Sequence, residues 1–325
     1  MDFNLISAKQ LYEKEIPPPE FLVKNVIEKG ELIYVVGPPA SFKTGWTMYL
    51  AICGAYSKKT LEFDIDKPFT TLFIDEENGL RKTKERFIRI FNGMKLNPSF
   101  LDSNRIIFST IAGFTLTPEH IMTLTELIDK NNPDMIVIDN IARCLIGSER
   151  DEKDVSNVMR LLKPLIEAYN VTILIIHHTR KGNPQSLEDI SGSRDFGAQC
   201  DNGFLLRQVK RKGNMKRFLL RQLKIKMSLE MEDINFAVEG SREEPLTIRY
   251  EGLASDVIKN LYQEIVPVII DWWEAGSKEE YKTSDVVDAM KKKGYKDTSI
   301  RKALKFMLDM GTIEKDKFGV YKWVS

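Results

Sequence analysis

The sequence predicts an α/β protein whose central sheet is mostly parallel and ends in antiparallel strands, followed by a small C-terminal domain. Three observations carry this. Short β-branched runs alternate with stretches of helical period between residues 31 and 250. From about residue 203 strand follows strand, and around "EGLAS" (251–255) the pattern resets into helices. Strands that alternate with helices pair in parallel and are covered on both faces.

The elements follow in order. Residues 1–30 form an N-terminal arm that includes "IPPP". The core, 31–252, holds the runs "LIYVVG", "TTLFIDE", "RIIFST", "MIVIDN" and "TILIIHH". Between them lie "TGWTMYLAICGAY", "LRKTKERFIRIF", "TPEHIMTLTELIDK" and "DVSNVMRLLKPLIEAY", with apolar residues three and four apart. "GFLLRQV", "RFLLRQLKIK", "INFAVEG" and "LTIRY" then read as antiparallel hairpins turning at "KRKGNMK" and "SREEP". Residues 253–325 predict three helices. The first contains Pro267, the second is capped by Thr283 or Ser284, and the third carries Ile300, Leu304, Met307 and Leu308 on one face and ends at Gly311. "TIEKDKFGVYKWV" alternates across a turn, and three helices followed by a hairpin is the pattern of a winged helix-turn-helix.

Composition excludes several classes. With 325 residues, 42% hydrophobic and 29% charged, the chain reads as globular rather than fibrous or disordered. Its longest apolar runs fall far short of the roughly 20 residues that cross a bilayer, and no signal-peptide order is seen at the N-terminus, so a cytoplasmic protein is expected. Cys53, Cys144 and Cys200 fit neither a disulfide framework nor a zinc site. The net charge is +1, yet residues 281–325 hold eleven Lys/Arg against six Asp/Glu, so basic character gathers in the tail.

The chemistry sits at strand ends. "GPPASFKT", comprising Gly37, Pro38, Pro39, Ala40, Ser41, Phe42, Lys43 and Thr44, follows "LIYVV" and nearly fits the phosphate-loop pattern G-x-x-x-x-G-K-[ST]. The departure is Phe42, where glycine is usual. In such a loop backbone N–H groups and a helix N-terminus converge on phosphate, Lys43 reaches the β and γ phosphates, and Thr44 holds Mg²⁺. "MIVID" ends in Asp139, a carboxylate at the edge where open α/β sheets bind ligands, placed to share that ion. "TLFIDEENG" groups Asp75, Glu76 and Glu77, one of which can orient an attacking water as general base. "ILIIHHTRKG" ends with His177 and His178, where a polar side chain can hydrogen-bond a γ-phosphate and report its loss. Each feature alone has an ordinary alternative: a chance strand-to-helix turn, a helix-capping aspartate, a solvated acidic loop, or histidines without a role. Their joint order is much harder to reach by accident.

This order resembles the RecA-like ATPase core, and more closely the RepA-like branch of hexameric replicative helicases. The likeness rests on "FLVKNVIEKGELIYVVGPPASFKT", "LFIDEENGLRKTKERF", "MIVIDN", "LIIHHTRKG" and "ISGSRDFGAQCDNGFLLR", and covers residues 17–250. Aligned on "ERF", it implies Glu77 as the catalytic glutamate. It further implies His178 as phosphate sensor with His177 beside it, ATP and Mg²⁺ as cofactors, and a basic finger supplied by a neighbouring subunit. Arg207 is the first candidate for that finger, with Lys224 and Lys226 next, since alternate residues of a strand point the same way.

A finger in trans implies a ring or filament, and a hexameric homo-oligomer is expected. Loops 143–156 and 180–196 match places where RecA-like motors touch single-stranded DNA, although Phe196 is the only aromatic they offer for stacking. In the tail Arg301, Lys302 and Lys305 line the polar side of the presumed recognition helix. Lys315, Lys317 and Lys322 surround the wing, suited to duplex phosphates. Trp272 and Trp273 could serve a docking interface instead. The expected function is an ATP-driven DNA helicase. The alternatives are a non-translocating RecA-like ATPase that loads or regulates partners on DNA, and a nucleotide-binding DNA regulator without turnover.

Overall fold

In the computed structural model, which describes residues 5–148, 151–180, 186, 189–190, 198–226, 230–241, 243–276, 280–309, 312–316 and 319–323, the expected arm divides at residue 20. Phe21–Val23 (β1) and Ile27–Glu28 (β2) form a small antiparallel hairpin. Its Leu22, Val23, Val26 and Ile27 are buried, so the core begins before residue 31. Ahead of it Ala8–Glu13 (α1) buries none of its side chains. By its contacts the chain separates into two units, Met1–Glu251 and Gly252–Ser325.

The first unit carries Leu32–Gly37 (β3), Thr71–Asp75 (β4), Ile106–Thr110 (β5), Met135–Asp139 (β6) and Thr172–His178 (β7). The helices between them are Lys43–Ala55 (α2), Leu80–Gly93 (α3), Pro118–Asn131 (α4), Ile141–Cys144 (α5) and Glu152–Tyr169 (α6). Asn202–Lys212 (β8), Met215–Ile225 (β9), Ile234–Glu239 (β10) and Thr247–Leu253 (β11) follow. One sheet joins them in the order β11-β10-β9-β8-β3-β7-β6-β4-β5. Pairing is parallel from β8 through β5 and antiparallel between β8, β9 and β10, the α/β architecture the sequence predicts.

β3, β6 and β7 are buried over most of their length because helices cover both faces of a parallel sheet, which is why their sequences run apolar without alternation. Each fully buried Val, Leu or Ile there contributes roughly 1.5–3 kcal/mol. Cys53, Cys144 and Cys200 are buried free thiols, and burial pushes all three well up, Cys53 and Cys144 to about 12 and Cys200 to about 11. No helix among the described residues is long and apolar enough to cross a membrane.

A buried polar relay ties the start of β3 to β8 and β9. The Met231 N–H donates to Gln222, Gln222 Nε2 to Asn202 Oδ1 at 2.9 Å, and Asn202 Nδ2 to Glu31 Oε2 at 3.1 Å. Burial pushes the Glu31 carboxyl from 4.5 up to about 7, outweighing the bonds from Asn202 and the Glu28 N–H. An acid raised in the folded state binds its proton more tightly there than in the unfolded chain. Its contribution to stability is therefore largest below about 4.5 and is lost as pH rises through about 7. Both neighbouring bonds reach the same oxygen, so Glu31→Gln keeps an acceptor for them. Glu31→Gln is expected to raise stability at pH 8 by about 1–2 kcal/mol and to have little effect near pH 5. Thermal midpoints of both chains at the two pH values check this, and an equal shift at both would sink it.

The second unit holds Ala254–Glu274 (α7), Glu280–Lys282 (β12), Thr283–Lys292 (α8), Asp297–Asp309 (α9), Ile313–Lys315 (β13) and Val320–Trp323 (β14). The three helices and the hairpin fall where the sequence puts them, with Pro267 inside α7. β12 is additional and extends the hairpin to a three-stranded sheet, β12-β14-β13. Neither Thr283 nor Ser284 caps α8. Lys282 takes the cap position, the Asp285 carboxylate accepts its N–H at 3.2 Å, and the Thr283 hydroxyl donates to the Gly319 carbonyl. The core gathers Ile269, Val286, Met290, Ile300, Leu304 and Met307. Trp273 belongs to this core, and both it and Trp272 pack on Tyr281, at 5.0 and 4.6 Å between ring centroids. Gly311 lies outside the described residues.

Candidate active site

Parallel pairing brings the C-terminal ends of β3, β7, β6 and β4 to one edge of the sheet. The register sets Gly37 beside His178 and Asp75 beside Asp139. The loop from Gly37 to Thr44 crosses that edge and runs into α2. A Cβ on Gly37 would lie 2.2 Å from the Leu206 carbonyl and 2.5 Å from Ser41 Oγ, so the approach of β8 admits only glycine. Pro38 is half-buried, Pro39 and Ala40 are exposed at the tip, and Ser41 is buried. Ala40 has φ 61°.

Phe42 precedes α2 in the left-handed region, φ 70° and ψ 18°, and no side chain caps the helix. That conformation costs a residue with a Cβ roughly 1–2 kcal/mol. The ring offsets it by stacking on Phe218 at 5.5 Å and lying 6.5 Å from Phe236, contacts worth about 0.5–1.5 kcal/mol beyond their burial. It also lies across Gly45, where a Cβ would meet the ring at 2.3 Å. The glycine missing at 42 is thus answered by one three residues on.

Lys43 is buried and its Nζ donates to the carbonyls of Gly37 at 2.9 Å and Pro38 at 3.0 Å, 3.3 Å from His178 Nδ1. These loop carbonyls occupy the ammonium in the way phosphate oxygens would. Burial pulls the Lys43 ammonium down to about 8, although Asp139 and Glu77 act against it. Thr44 Oγ1 donates to Asp139 Oδ2 at 2.6 Å. Burial pushes the Asp139 carboxyl up to about 7, opposed chiefly by that hydroxyl.

Asp139 Oδ1 is buried and makes no hydrogen bond among the described residues. An acceptor-only oxygen in that state, next to a threonine hydroxyl, fits Mg²⁺. This ion takes one or two protein ligands and completes its shell from phosphates and water. No cluster of three or more His, Cys, Asp or Glu among the described residues would hold a metal alone.

The three carboxylates that end β4 divide their work. Asp75 is fully buried and accepts from the N–H groups of Glu77 at 3.1 Å and Asn78 at 2.7 Å, and from Thr83 Oγ1 at 2.8 Å. Glu76 turns away and accepts from the N–H groups of Ala112 and Gly113. Glu77 is left exposed at the cleft, where Asn140 Nδ2 donates to its Oε2. A cleft of about 290 Å³ gathers Lys43, Thr44, Glu77, His178, Arg86 and Lys216.

His177, paired with Val36, is fully buried and does not line this cleft. Arg207 follows Leu206, whose carbonyl packs on Gly37, so its backbone lies near the Gly37–Thr44 loop. Lys224 and Lys226 lie at the opposite edge of the sheet, where Lys224 Nζ donates to the Ala198 carbonyl at 3.1 Å and Lys226 pairs with Asp201. Both lie away from the Gly37–Thr44 loop.

Arg301, Lys302 and Lys305 are exposed on α9, although Arg301 is held by Asp297 at 2.5 Å. Lys315 sits 5.1 Å over the Tyr321 ring, and Lys322 pairs with Glu280. Lys317, Phe196 and most of 181–196 lie outside the described residues.

Arg86 escaped the reading of the sequence. It lines the cleft, its charge acts on Asp139, and its Nη1 is buried with no hydrogen-bond partner among the described residues. The available signal was helical spacing, since Arg86 stands three residues after Thr83, which faces Asp75. Asn140 was missed as well, because asparagine after a strand reads equally as a helix cap, which it also is.

The model of an AAA domain matches residues 4–184. No curated protein matches the chain. Among solved structures, a KaiC-like protein from the hyperthermophilic archaeon Pyrococcus horikoshii OT3 is similar with a TM-score of 0.49 and 13% identity, over 71% of this chain and 94% of that one. The RadB recombinase is similar with a TM-score of 0.47 and 18% identity, over 66% of this chain and 89% of that one.

Proposed function

Since the chain belongs to the AAA domain family of P-loop ATPases, we propose that it is an ATP-driven DNA motor, a RepA-like replicative helicase working as a hexameric ring. The observation that carries this is the convergence of Lys43, Thr44, Asp139, Glu77 and His178 at one sheet edge in the order of a motor ATPase. Lys43 exchanges its loop carbonyls for the β and γ phosphates. Thr44 and Asp139 hold Mg²⁺, which when bound neutralises phosphate charge. Glu77, fixed through Asp75 and Asn140, orients the attacking water and takes its proton. His178, beside Lys43, senses the γ-phosphate, and Arg86 adds positive charge on the same side.

Arg207, with Lys224 and Lys226 as the other candidates, serves a neighbouring subunit's site. The position of the two lysines away from their own phosphate loop is compatible with action in trans. The order α7-β12-α8-α9-β13-β14 supports reading the second unit as a winged helix-turn-helix, with Arg301, Lys302, Lys305 and Lys317 toward DNA.

The test is steady-state ATP hydrolysis with and without single-stranded DNA, with Lys43→Ala as the blank. The expected result is a several-fold rise with DNA that vanishes in the variant, together with strand displacement on a tailed duplex. Hydrolysis equal to the blank in both conditions would remove the motor. DNA-stimulated hydrolysis without displacement would favour a non-translocating ATPase. Alanine at Arg207, Lys224 or Lys226 in the same assay identifies the finger.

A further inference from the structure

β8 and β9 run on past the parallel sheet as an antiparallel ribbon. β3 pairs with β8 only over Asn202–Leu205, whereas the β8–β9 ladder continues to Lys212 opposite Met215. Residues 207–217 of this ribbon hold six Lys/Arg and no Asp/Glu. Its register sets Lys210 opposite Arg217 and Arg211 opposite Lys216. Like charges directly opposite one another destabilise a strand pair. Arg217 is relieved by Glu251 at 2.6 Å, but among the described residues Lys210, Lys212 and Lys216 have no carboxylate partner.

Lysines on an open edge often serve only to prevent strand pairing. That accounts for Lys210 and Lys212, which lie beyond the part of β8 that β3 covers. It does not account for Lys216 and Arg217, whose strand is covered by β10. Nor does it account for Arg211, which with Lys216 turns to the other face and lines a cleft of about 530 Å³ against Lys82, Arg86 and Arg89 of α3. Glu85 is the one carboxylate lining it. The Arg211–Lys216 repulsion faces three further cations across this cleft, and Lys210 and Lys212 add charge on the other face, an excess that a polyanion would neutralise. No aromatic side chain is exposed on the ribbon to anchor a protein or stack a base, so its chemistry is that of phosphate binding.

We infer that the β8–β9 ribbon, through Lys210, Arg211, Lys212 and Lys216, binds the phosphodiester backbone of single-stranded DNA without reading its sequence. This rests on the reading of the protein as a DNA motor and adds a binding surface outside the loops and the C-terminal unit. The experiment uses the full chain and a fluorescein-labelled oligo-dT, with anisotropy recorded over a range of salt concentrations for wild type and K210E/K212E. The variant is expected to bind about tenfold or more weakly, and the slope of log K against log salt to flatten by roughly 0.7 for each phosphate no longer neutralised. Its hydrolysis without DNA should match wild type. Its thermal midpoint should hold or rise, since a glutamate at position 210 faces Arg217. Wild-type binding with an unchanged affinity and slope in the variant would overturn the ribbon as a DNA-binding surface while leaving the motor intact. Failure of the wild type to bind the oligonucleotide at all would overturn the DNA reading, and this inference with it. Loss of DNA-free hydrolysis in the variant would assign the ribbon to the nucleotide site instead.

Discussion

Glu77→Gln is expected to lower the maximal rate of ATP hydrolysis by roughly 10²–10⁴, the usual worth of a positioned general base, while nucleotide affinity stays within a few-fold. The substitution is narrow. The loop stays fixed because Asp75 holds it through the N–H groups of residues 77 and 78, and the glutamine carbonyl can still accept from Asn140. Only the capacity to take a proton is removed. Single-turnover hydrolysis with a parallel titration of a fluorescent ATP analogue separates the two quantities. Unchanged hydrolysis would return Glu77 to the role of a solvated loop residue, and an equal loss in both would mean that the substitution had disturbed the loop.

Gly45→Ala should be far more damaging than an alanine in a helix usually is. Alanine normally stabilises a helix interior relative to glycine by about 1 kcal/mol. Here the added methyl would lie 2.3 Å from the Phe42 ring, and the ring is backed by Phe218, so the loop has to shift. Overpacking of this kind costs about 1–3 kcal/mol, and nucleotide affinity should fall on the order of tenfold to a hundredfold. Phe42→Gly on its own relieves the left-handed strain but gives up the stack. The two together should recover binding, because removing the ring leaves room for the methyl, with a coupling of roughly 1–3 kcal/mol in a double-mutant cycle. Thermal midpoints and nucleotide dissociation constants for the four chains complete the cycle. Additivity would show that the ring does not depend on Gly45.

What could be read from residues alone follows from what the period of a sequence records. The strands β3, β4, β6 and β7 were legible because burial on both faces leaves an apolar run, and the residues ending those runs were legible as chemistry because a parallel sheet collects them at one edge. β12 was not, since "EYK" is too short for alternation to register. The role of Asp75 was hidden among three consecutive acids. Only the hydrogen bonds distinguish the carboxylate that builds the turn from the one pointing at Ala112 and from the one left at the cleft. Phe42 looked like a defect because the pattern is written residue by residue, whereas the space its ring needs is supplied from the next turn of helix. Arg86 lay in a helix whose charged residues look alike until Thr83 fixes which face meets Asp75.

The sheet order has a consequence for how the chain comes to be folded. β3 reaches the ribosome's exit early, but its partners are β7 and β8, so Leu32 waits for Ile173 and Ile33 for Asn202. At ordinary rates of synthesis that is on the order of 10 s during which "LIYVV" has neither neighbour. The strand that carries the phosphate loop is therefore among the last of the parallel set to be locked in. Pairings so distant in sequence close slowly, since chain entropy must be given up before they form. A nascent chain interrupted before about residue 172 presents an apolar, β-prone segment with two open edges, the kind of segment on which aggregation starts.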